Sequence, residues 1–383
     1  MRANPSRIAP GPVAPCGRQR PAGVAAENSR VPITHQITVA GDPQPVTAED
    51  GETLLAALLR NGVGFAYSCE AGNCGTCKCE YVSGDIFELE YSEHALSAAE
   101  RARNVVLACR AQVWSDVEIR RLSAEDFILH PARVMQCRVA DSAMLTHEVL
   151  RLRFAIESGG PYTFSAGQFA KLQFAFAPES PRDYSMANAP AEAGLEFHIR
   201  VIAGGISGQI RDHLKVGDLV RISGPFGTSY LRAQHPGPII AIAGGTGLAP
   251  VRSIVRTALT EGLAGPIHLY FGVRAGRDVY GEAELRAWQA RHPNLKVHVV
   301  LSEAGGDALG NGHRSGMVTD AVREDFADLI GFHAYLAGPP AMVDAASELL
   351  REKGVLARDM HADAFYSAPA EQPAGQPAGR VRA

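Results

Sequence analysis

The sequence lacks both a long hydrophobic run and a strong excess of charge of either sign. No stretch approaches the roughly 20 consecutive apolar residues of a membrane-spanning helix, which argues against an integral membrane protein. The 37 basic and 41 acidic residues leave a net charge of −4, which is too even for a nucleic-acid-binding surface. With 383 residues, of which 46 % are hydrophobic, the chain is long enough for two to four globular domains.

Cysteine is scarce, and its number is odd. The seven cysteines stand at positions 16, 69, 74, 77, 79, 109 and 137, and four of them fall between Cys69 and Cys79. A secreted disulfide scaffold would be shorter and evenly paired. The pattern therefore favours a metal or redox site in a reducing compartment, and we expect a cytoplasmic protein.

The two ends of the chain lack the periodicity of folded segments. Residues 1–32 are rich in Pro, Arg and Ala and have no apolar core of a secretory signal. They are interpreted as a disordered tail or an over-extended translation start, with an organelle transit segment as the alternative. Residues 367–383 repeat Pro, Ala, Gly and Gln and predict a second disordered tail.

Residues 33–122 form the first predicted domain, and their charge separates them from the rest. They carry an excess of acidic residues that either attracts a basic protein partner or is simply a solvated surface. Glu52–Arg60 predicts a helix with leucines on one face, and Asn61-Gly62 predicts its end. Val117–Ile119 predicts a closing strand.

Two further domains follow. Residues 123–233 contain many short strand candidates at close spacing, which predict an antiparallel β-barrel; only Gly208–Leu214 has a helical pattern. In residues 234–366, apolar strands recur about every thirty residues with helices between them, typical of an α/β doubly wound parallel sheet. These strand candidates begin near Ile239, Ile267, Val297, Ala334 and Met360.

Four cysteines have the spacing of a plant-type iron–sulfur site. Cys69-x4-Cys74-x2-Cys77, with Cys109 further along the chain, can supply four thiolates to a 2Fe-2S cluster. Gly72 and Gly75 allow the loop to wrap closely because they have no Cβ. Tetrahedral zinc is the alternative, although zinc sites favour two short cysteine pairs. Cys16, Cys79 and Cys137 are expected not to be ligands.

The segment Ser68–Cys79, together with Leu107–Arg110, resembles the N-terminal ferredoxin module of bacterial oxygenase reductases. The resemblance implies a β-grasp fold (α+β) around a 2Fe-2S cluster that accepts one electron at a time. It also implies a reduction potential in the plant-type range, at about −400 mV.

Arg182-Asp183-Tyr184-Ser185 resembles the flavin motif of the ferredoxin-reductase superfamily. The resemblance implies that Arg182 pairs with the FAD pyrophosphate, that Tyr184 packs on the flavin or its ribityl chain, and that Ser185 reaches flavin N5 as a catalytic residue. The strand beside the flavin and the following glycine turn complete this expected FAD site: His198, Ile199, Arg200, Gly205 and Ser207.

The third domain carries two motifs that resemble the nicotinamide site of the same superfamily. Gly244-Gly245-Thr246-Gly247 joins a buried strand to an amphipathic helix, where glycines let a pyrophosphate approach a helix N-terminus. Gly338-Pro339 and Met342 resemble the second motif, and Ala337 stands where relatives usually have a cysteine. We expect altered nicotinamide positioning rather than lost activity from that replacement.

The basis for coenzyme choice lies after the second strand of the third domain. Arg274 or Arg277 is suited to bind a 2′-phosphate, whereas Asp278 would oppose one. The resemblance favours NADH, with NADPH possible. In related reductases a C-terminal aromatic residue covers the flavin face that nicotinamide must occupy; we assign this role to Phe365, with Tyr366 as second candidate and core packing as the alternative.

Taken together, these motifs identify residues 33–366 as similar to reductase components of aromatic-ring hydroxylating systems of the naphthalene-dioxygenase type. The resemblance implies that electrons pass from NAD(P)H through FAD and the 2Fe-2S cluster to a ferredoxin or an oxygenase. The expected protein is a monomer without nucleic-acid or membrane partners. The alternatives are a reductase of a di-iron monooxygenase, a reductase of a deoxysugar-forming dehydratase, and a redox-inactive sensor that keeps the fold.

Overall fold

The computed structural model describes residues 33–67, 69–73, 75–92, 95–122, 128, 130–235, 237–303 and 312–366, with the backbone of 380–382. From Thr34 onward the chain forms one compact unit. The expectations for residues 1–32, for Cys16 and for Cys74 lie outside the described residues. Residues 380–382 differ from the expected disordered tail because their backbone forms a short strand.

The first module is a mixed sheet with β1 and β7 paired in parallel at its centre. The strand order is β2-β1-β7-β3-β5, beside a three-stranded sheet β20-β4-β6. Its elements are β1 (Thr34–Val39), β2 (Val46–Glu49), α1 (Leu54–Arg60), β3 (Lys78–Ser83), β4 (Asp85–Glu88), α2 (Ala98–Arg101), β5 (Val105–Leu107), β6 (Ala111–Val113), β7 (Val117–Arg121) and β20 (Arg380–Arg382).

Helix α1 begins two residues later than the leucine pattern predicts. The Thr53 hydroxyl accepts a hydrogen bond from Ala56 N–H and caps the helix at this point. The Glu52 side chain instead accepts a 2.7 Å bond from Arg60 and another from Glu49 N–H. The buried leucine face is the expected one, so periodicity locates the helix and local hydrogen bonds determine where it starts.

The second module is an antiparallel sheet that curls until its edges meet, as the strand-rich pattern predicts. Its order is β11-β10-β13-β8-β9-β12, and an antiparallel bridge between Met186 and Phe197 connects the two edges. The helix begins two residues earlier than predicted. The elements are β8 (Arg133–Met144), β9 (Val149–Ser158), β10 (Phe169–Phe174), β11 (Ala177–Ser185), β12 (Leu195–Arg200), α3 (Ile206–His213) and β13 (Leu219–Phe226).

The third module is the predicted doubly wound sheet, entirely parallel, with the order β17-β16-β15-β14-β18-β19. One apolar core lies between the sheet and helices α4 and α5, and a second lies against α6 and α7. The elements are β14 (Ile239–Gly244), α4 (Leu248–Thr260), β15 (Ile267–Val273), α5 (Glu282–Arg291), β16 (Leu295–Leu301), β17 (Arg314–Ser315), α6 (Val318–Asp325), β18 (His333–Gly338), α7 (Pro340–Glu352) and β19 (Met360–Ala364).

Direct hydrogen bonds hold the three modules together. Tyr67 and Thr228 join the first module to the barrel, since each backbone N–H bonds to the other residue at 3.0 Å. Between the barrel and the third module, Ser253 of α4 donates a 2.7 Å bond to Asn188 O. None of the helices in the described part of the chain has the length and apolar character needed to cross a membrane.

Candidate functional site

Three of the four predicted cluster ligands meet in one loop region of the first module. The N–H groups of Ala71 and Asn73 point at Cys69 Sγ, at 3.4 and 3.3 Å. A hydrogen bond from Cys77 lowers the pKa of Cys109, which favours the thiolate form that a metal requires. Cys69, Cys77 and Cys109 thus have the donor chemistry of an iron–sulfur site, and Cys74 lies outside the described residues.

The glycines of this loop stand where a side chain would not fit. A Cβ on Gly72, at φ +75°, would lie 2.8 Å from the Tyr91 Cβ. A Cβ on Gly75, at φ +71°, would lie 2.6 Å from the backbone oxygen of Ala95. The loop therefore depends on glycine at both positions to fold tightly around its cysteines.

Cys79 and Cys137 occupy different surroundings from the three ligand candidates. Cys79 lies on β3 and is fully buried in the core of the first module, and Cys137 is buried in the barrel. Burial raises the pKa of each thiol to about 12, so both remain protonated. Their environments are those of inert core cysteines.

A lysine connects the cysteine loop to the flavin motif. Lys171 Nζ lies 3.1 Å from Glu70 Oε2 and 4.0 Å from Asp183 Oδ1. Glu70 immediately follows Cys69, and Asp183 lies within the flavin motif on β11. Lys171 also lies 5.2 Å from the centroid of Phe226, a barrel residue packed against the core of the first module. The cysteine loop and the flavin motif are therefore neighbours.

A cavity of about 1080 Å³ opens where the barrel meets the carboxyl edge of the parallel sheet. Large ligands of doubly wound sheets bind at this edge. The residues predicted from the two halves of the chain share this one cavity: Arg182, Tyr184, Ser185, His198, Arg200, Gly205, Ser207, Gly244, Gly245, Thr246, Arg274, Pro339, Met342 and Phe365. Three predicted residues do not line it: Ile199, Gly247 and Gly338.

The lining fits a dinucleotide. Arg182 supplies a cation, and the glycine-rich segments at the starts of α3 and α4 place backbone N–H groups of two helix N-termini at the wall. The cavity volume of about 1080 Å³ slightly exceeds the usual upper limit for a small-molecule pocket, about 1,000 Å³, as a site for large cofactors should. The residues that line the cavity are thus compatible with binding FAD and a nicotinamide coenzyme.

Ser185 has a carboxylate partner from the far end of the chain. Its hydroxyl donates a 3.2 Å hydrogen bond to Asp363 Oδ2 on β19. Ser185 itself is 8 % exposed and faces the cavity, so its hydroxyl is held in one orientation at the wall. Asp363 was not predicted, because 178 residues separate the two and no local pattern connects them.

His198 also has a carboxylate partner that was not predicted. Its Nε2 lies 2.9 Å from Glu196 Oε1. Glu196 is paired in addition with Arg153 at 2.6 Å and with Arg252 of α4 at 3.6 Å. Burial raises the pKa of Glu196, but the His198 bond and the two guanidinium groups outweigh it and hold the pKa at about 2. The i,i+2 spacing on one strand was the available signal for this pair.

Gly247, in the turn between β14 and α4, and Gly338, at the end of β18, allow close backbone approach and do not line the cavity. A Cβ on Gly247 would lie 2.0 Å from Ala337 O, and one on Gly338, at φ +142°, would lie 2.8 Å from Gly244 O. Ala337, at the usual cysteine position, is buried and absent from the lining. These glycines let β18 approach β14 and the turn that follows β14.

Arg274 lines the cavity but is already paired. Its guanidinium lies 2.8 Å from Glu148 Oε2 and 3.3 Å from Asp278 Oδ2. The bond from Arg274 lowers the pKa of Glu148, so this carboxylate is ionised at neutral pH. Glu148 precedes β9 of the barrel and was not predicted. Arg277 is exposed and lies outside the lining.

The C-terminal aromatic residues reach the cavity. Phe365 and Tyr366 follow β19, and both line the wall near Ser185. Phe365 N–H donates a 2.8 Å bond to Gly338 O, and its ring also packs against the α4–α5 core. The position of Phe365 is thus compatible with both the predicted cover over the flavin face and the alternative of core packing.

Three family profiles match the chain. A 2Fe-2S iron-sulfur cluster binding domain matches residues 37–113, an oxidoreductase FAD-binding domain matches 136–230, and an oxidoreductase NAD-binding domain matches 241–348.

The chain aligns with nearly the whole length of several curated relatives. The reductase component of naphthalene 1,2-dioxygenase/salicylate 5-hydroxylase systems of a Ralstonia species is 46 % identical, over 84 % of this chain and 95 % of the relative. The corresponding component of the naphthalene 1,2-dioxygenase system of Pseudomonas putida is 40 % identical, over 82 % and 94 %. The reductase subunit of an aromatic O-demethylase of an Amycolatopsis species is 36 % identical, over 88 % and 100 %.

Solved structures share the fold across the three modules. An Amycolatopsis cytochrome P450 reductase superposes with a TM-score of 0.74 at 35 % identity, covering 87 % of this chain and 99 % of that protein. A ferredoxin reductase in carbazole 1,9a-dioxygenase gives a TM-score of 0.66 at 30 % identity with the same coverage.

Proposed function

The chain belongs to the ferredoxin–NAD(P)⁺ reductase components of multicomponent oxygenase systems, and on this premise we propose that it serves an aromatic-ring hydroxylating dioxygenase. It is an oxidoreductase that takes electrons from NAD(P)H, holds FAD and a 2Fe-2S cluster, and passes electrons to a ferredoxin or an oxygenase. We also propose that the protein is a cytoplasmic monomer without nucleic-acid or membrane partners.

The observation that carries the proposal is that one cavity unites the flavin motif and the nicotinamide motifs beside the cysteine loop. Ser185 and Met342 line the same wall, and Lys171 joins the cysteine loop to Asp183. When bound, FAD exchanges a hydride with the nicotinamide and gives up electrons singly, and the cluster accepts them singly.

The chain's own residues have distinct tasks in this reaction. Arg182 and the N-termini of α3 and α4 are placed to bind pyrophosphate groups, and Tyr184 offers an aromatic surface to a flat ring. Ser185, held by Asp363, presents an oriented hydroxyl at the reacting end of the cavity. Cys69, Cys74, Cys77 and Cys109 are the proposed cluster ligands, with N–H groups aimed at Cys69.

The purified protein tests the proposal directly. It should show flavin and iron–sulfur absorption, should be bleached by NADH under anaerobic conditions, and should reduce cytochrome c. A colourless preparation would favour the redox-inactive alternative. To identify the acceptor, we would compare electron delivery to a Rieske dioxygenase system, a di-iron hydroxylase and a sugar dehydratase; preference for either of the last two would contradict the aromatic dioxygenase assignment.

The ion pairs of Arg274 predict a preference for NADH. Glu148 and Asp278 neutralise this arginine and repel a 2′-phosphate. The double variant Glu148→Gln/Asp278→Asn should free the guanidinium and improve kcat/KM for NADPH relative to NADH by about tenfold. Steady-state kinetics with both coenzymes measure this ratio.

Asp141→Asn is the matched control for that ratio, because it removes a barrel carboxylate that pairs with Arg151 outside the cavity lining. An unchanged NADPH/NADH ratio in the double variant would mean that Arg274 does not meet the 2′ position.

Phe365 gives a further prediction about coenzyme release. A ring stacked on the flavin contributes about 0.5–1.5 kcal/mol, so nicotinamide can displace it. Phe365→Ala should tighten NAD⁺ binding by about two- to tenfold and slow product release. Titration with NAD⁺ should show a stronger charge-transfer band.

Phe365→Leu separates the two roles of the ring, because leucine keeps apolar volume in the α4–α5 core without an aromatic face. It should tighten NAD⁺ binding like the alanine variant while losing less stability. If both variants bind NAD⁺ with wild-type affinity and only their melting temperatures fall, Phe365 is a core residue.

A further inference from the structure

The His198 ring carries a buried nitrogen that forms no hydrogen bond with the part of the chain that the structure describes. The side chain is 4 % exposed, and Nδ1 has no hydrogen-bond partner among the described residues. His198 nonetheless lines the large cavity between the barrel and the parallel sheet. A buried polar atom without a partner is costly unless a ligand supplies one. The free nitrogen therefore points to a ligand contact.

Glu196 determines what kind of contact this is. It is ionised and its Oε1 lies 2.9 Å from His198 Nε2, so Nε2 carries the ring proton and donates a hydrogen bond to the carboxylate. In a neutral imidazole with Nε2 protonated, Nδ1 is a hydrogen-bond acceptor. The tautomer is thus assigned by the partner on the same strand.

The surrounding charge keeps the ring neutral. Arg153 and Arg252 already pair with Glu196, and Arg151 lies on the neighbouring strand opposite His198. Burial lowers the pKa of His198, and the positive charges of Arg252 and Arg151 act in the same direction against the opposing effect of Glu196. Tyr280, whose ring meets the imidazole edge-on at 5.3 Å, adds apolar surface on another side. A second proton on the ring is therefore disfavoured.

We propose that Glu196 is a positioning residue that holds His198 with Nδ1 as an acceptor for a sugar-type hydroxyl of the bound dinucleotide. The ribityl chain of FAD and the riboses of both dinucleotides carry such hydroxyls, whereas pyrophosphate oxygens and ring carbonyls offer only acceptors. Nδ1 in this state selects a donor and disfavours those acceptors. The inference rests on the proposed use of this cavity for FAD and NAD(H).

Glu196→Gln is the sharpest test, because the amide N–H₂ can donate to Nε2 and so move the ring proton to Nδ1. Nδ1–H would then be a donor, and the ligand hydroxyl could bond to it only by turning its own proton away and accepting. His198→Phe removes the nitrogen while keeping a ring. We expect FAD or NAD⁺ to dissociate about tenfold more readily from His198→Phe and, by a smaller factor, more readily from Glu196→Gln.

Two variants control for non-specific damage. Glu284→Gln removes another carboxylate of the same Arg252 network without touching His198. His333→Phe replaces a histidine that is equally buried and whose Nδ1 also lacks a hydrogen-bond partner among the described residues, but that lies outside the cavity lining. Both controls should keep wild-type affinity for FAD and NAD⁺.

Nitrogen NMR of the imidazole provides a readout independent of activity. In the apoprotein, His198 should show protonated Nε2 and unprotonated Nδ1, and Glu196→Gln should reverse this pattern. Affinity loss confined to FAD assigns the hydroxyl to the flavin cofactor, and loss confined to NAD⁺ assigns it to the coenzyme; either supports the proposal.

The proposal is overturned if Nδ1 carries the proton in the wild-type protein, or if both variants bind FAD and NAD⁺ with wild-type affinity. Failure of the wild-type protein to bind FAD at all would instead refute the proposed function, so the two failures are distinguishable.

Discussion

Cys109→Ser should abolish cytochrome c reduction, roughly a hundredfold or more, while leaving NADH-dependent ferricyanide reduction largely intact. Loss of one of the four thiolates removes the cluster that delivers single electrons. Ferricyanide accepts electrons directly from flavin, so the barrel and the parallel-sheet module are sufficient for that reaction. Cys69→Ser, Cys74→Ser and Cys77→Ser should behave in the same way. The two assays, with iron content and FAD content, measure the effect.

Cys79→Ser is the matched control, because this thiol is buried on β3 and its raised pKa keeps it protonated. It should retain cluster absorption and cytochrome c reduction. If Cys109→Ser lost both activities equally with FAD still bound, the modular route of electrons would be wrong.

Ser185→Ala should slow NADH-dependent ferricyanide reduction by about a hundredfold, because a small misplacement at the reacting atoms costs this much. The Ser185 hydroxyl is oriented by Asp363, so Asp363→Ala should approach the same loss. Asp363→Asn keeps an oxygen acceptor and should lose less. With deuterated NADH, the isotope effect on kcat should rise in the alanine variants as hydride donation becomes rate-limiting.

Ser253→Ala provides the control for Ser185→Ala. Ser253 is a buried serine that also donates to an oxygen acceptor, the backbone oxygen of Asn188, and it lies outside the cavity lining. Its variant should lose stability without a changed isotope effect. A wild-type kcat and isotope effect in Ser185→Ala would remove Ser185 from the catalytic residues.

The sequence predicted those features that depend on neighbours along the chain. Cys79 was expected not to be a ligand because a strand beginning at Lys78 turns it away from the cysteine loop, and β3 does begin there; the leucine spacing located α1. The thirty-residue rhythm of strands and helices predicted the parallel sheet. Each of these follows from a period of two or 3.6 residues, which local sequence expresses directly.

What the sequence did not predict depends on distant partners. Arg274 or Arg277 was considered suited to a 2′-phosphate, but the carboxylate that pairs with Arg274, Glu148, lies 126 residues earlier and was not predicted. Gly247 and Gly338 were expected at the coenzyme, yet Gly247 is required where the turn after β14 approaches Ala337, and Gly338 where the end of β18 approaches Gly244. A motif predicts that glycine is needed, whereas only the fold shows whether the close approach is to a ligand or to another strand.

The contact of Tyr67 with Thr228 makes the electron donor and the internal acceptor parts of one body. Passage of electrons from barrel to cysteine loop is then a first-order event, whose rate has no dependence on protein concentration. Delivery to a separate ferredoxin or oxygenase is second-order and slows on dilution. Each electron delivered to a separate acceptor therefore requires an encounter between the two proteins. The reduction of the cluster within the reductase between encounters does not depend on the concentration of either protein.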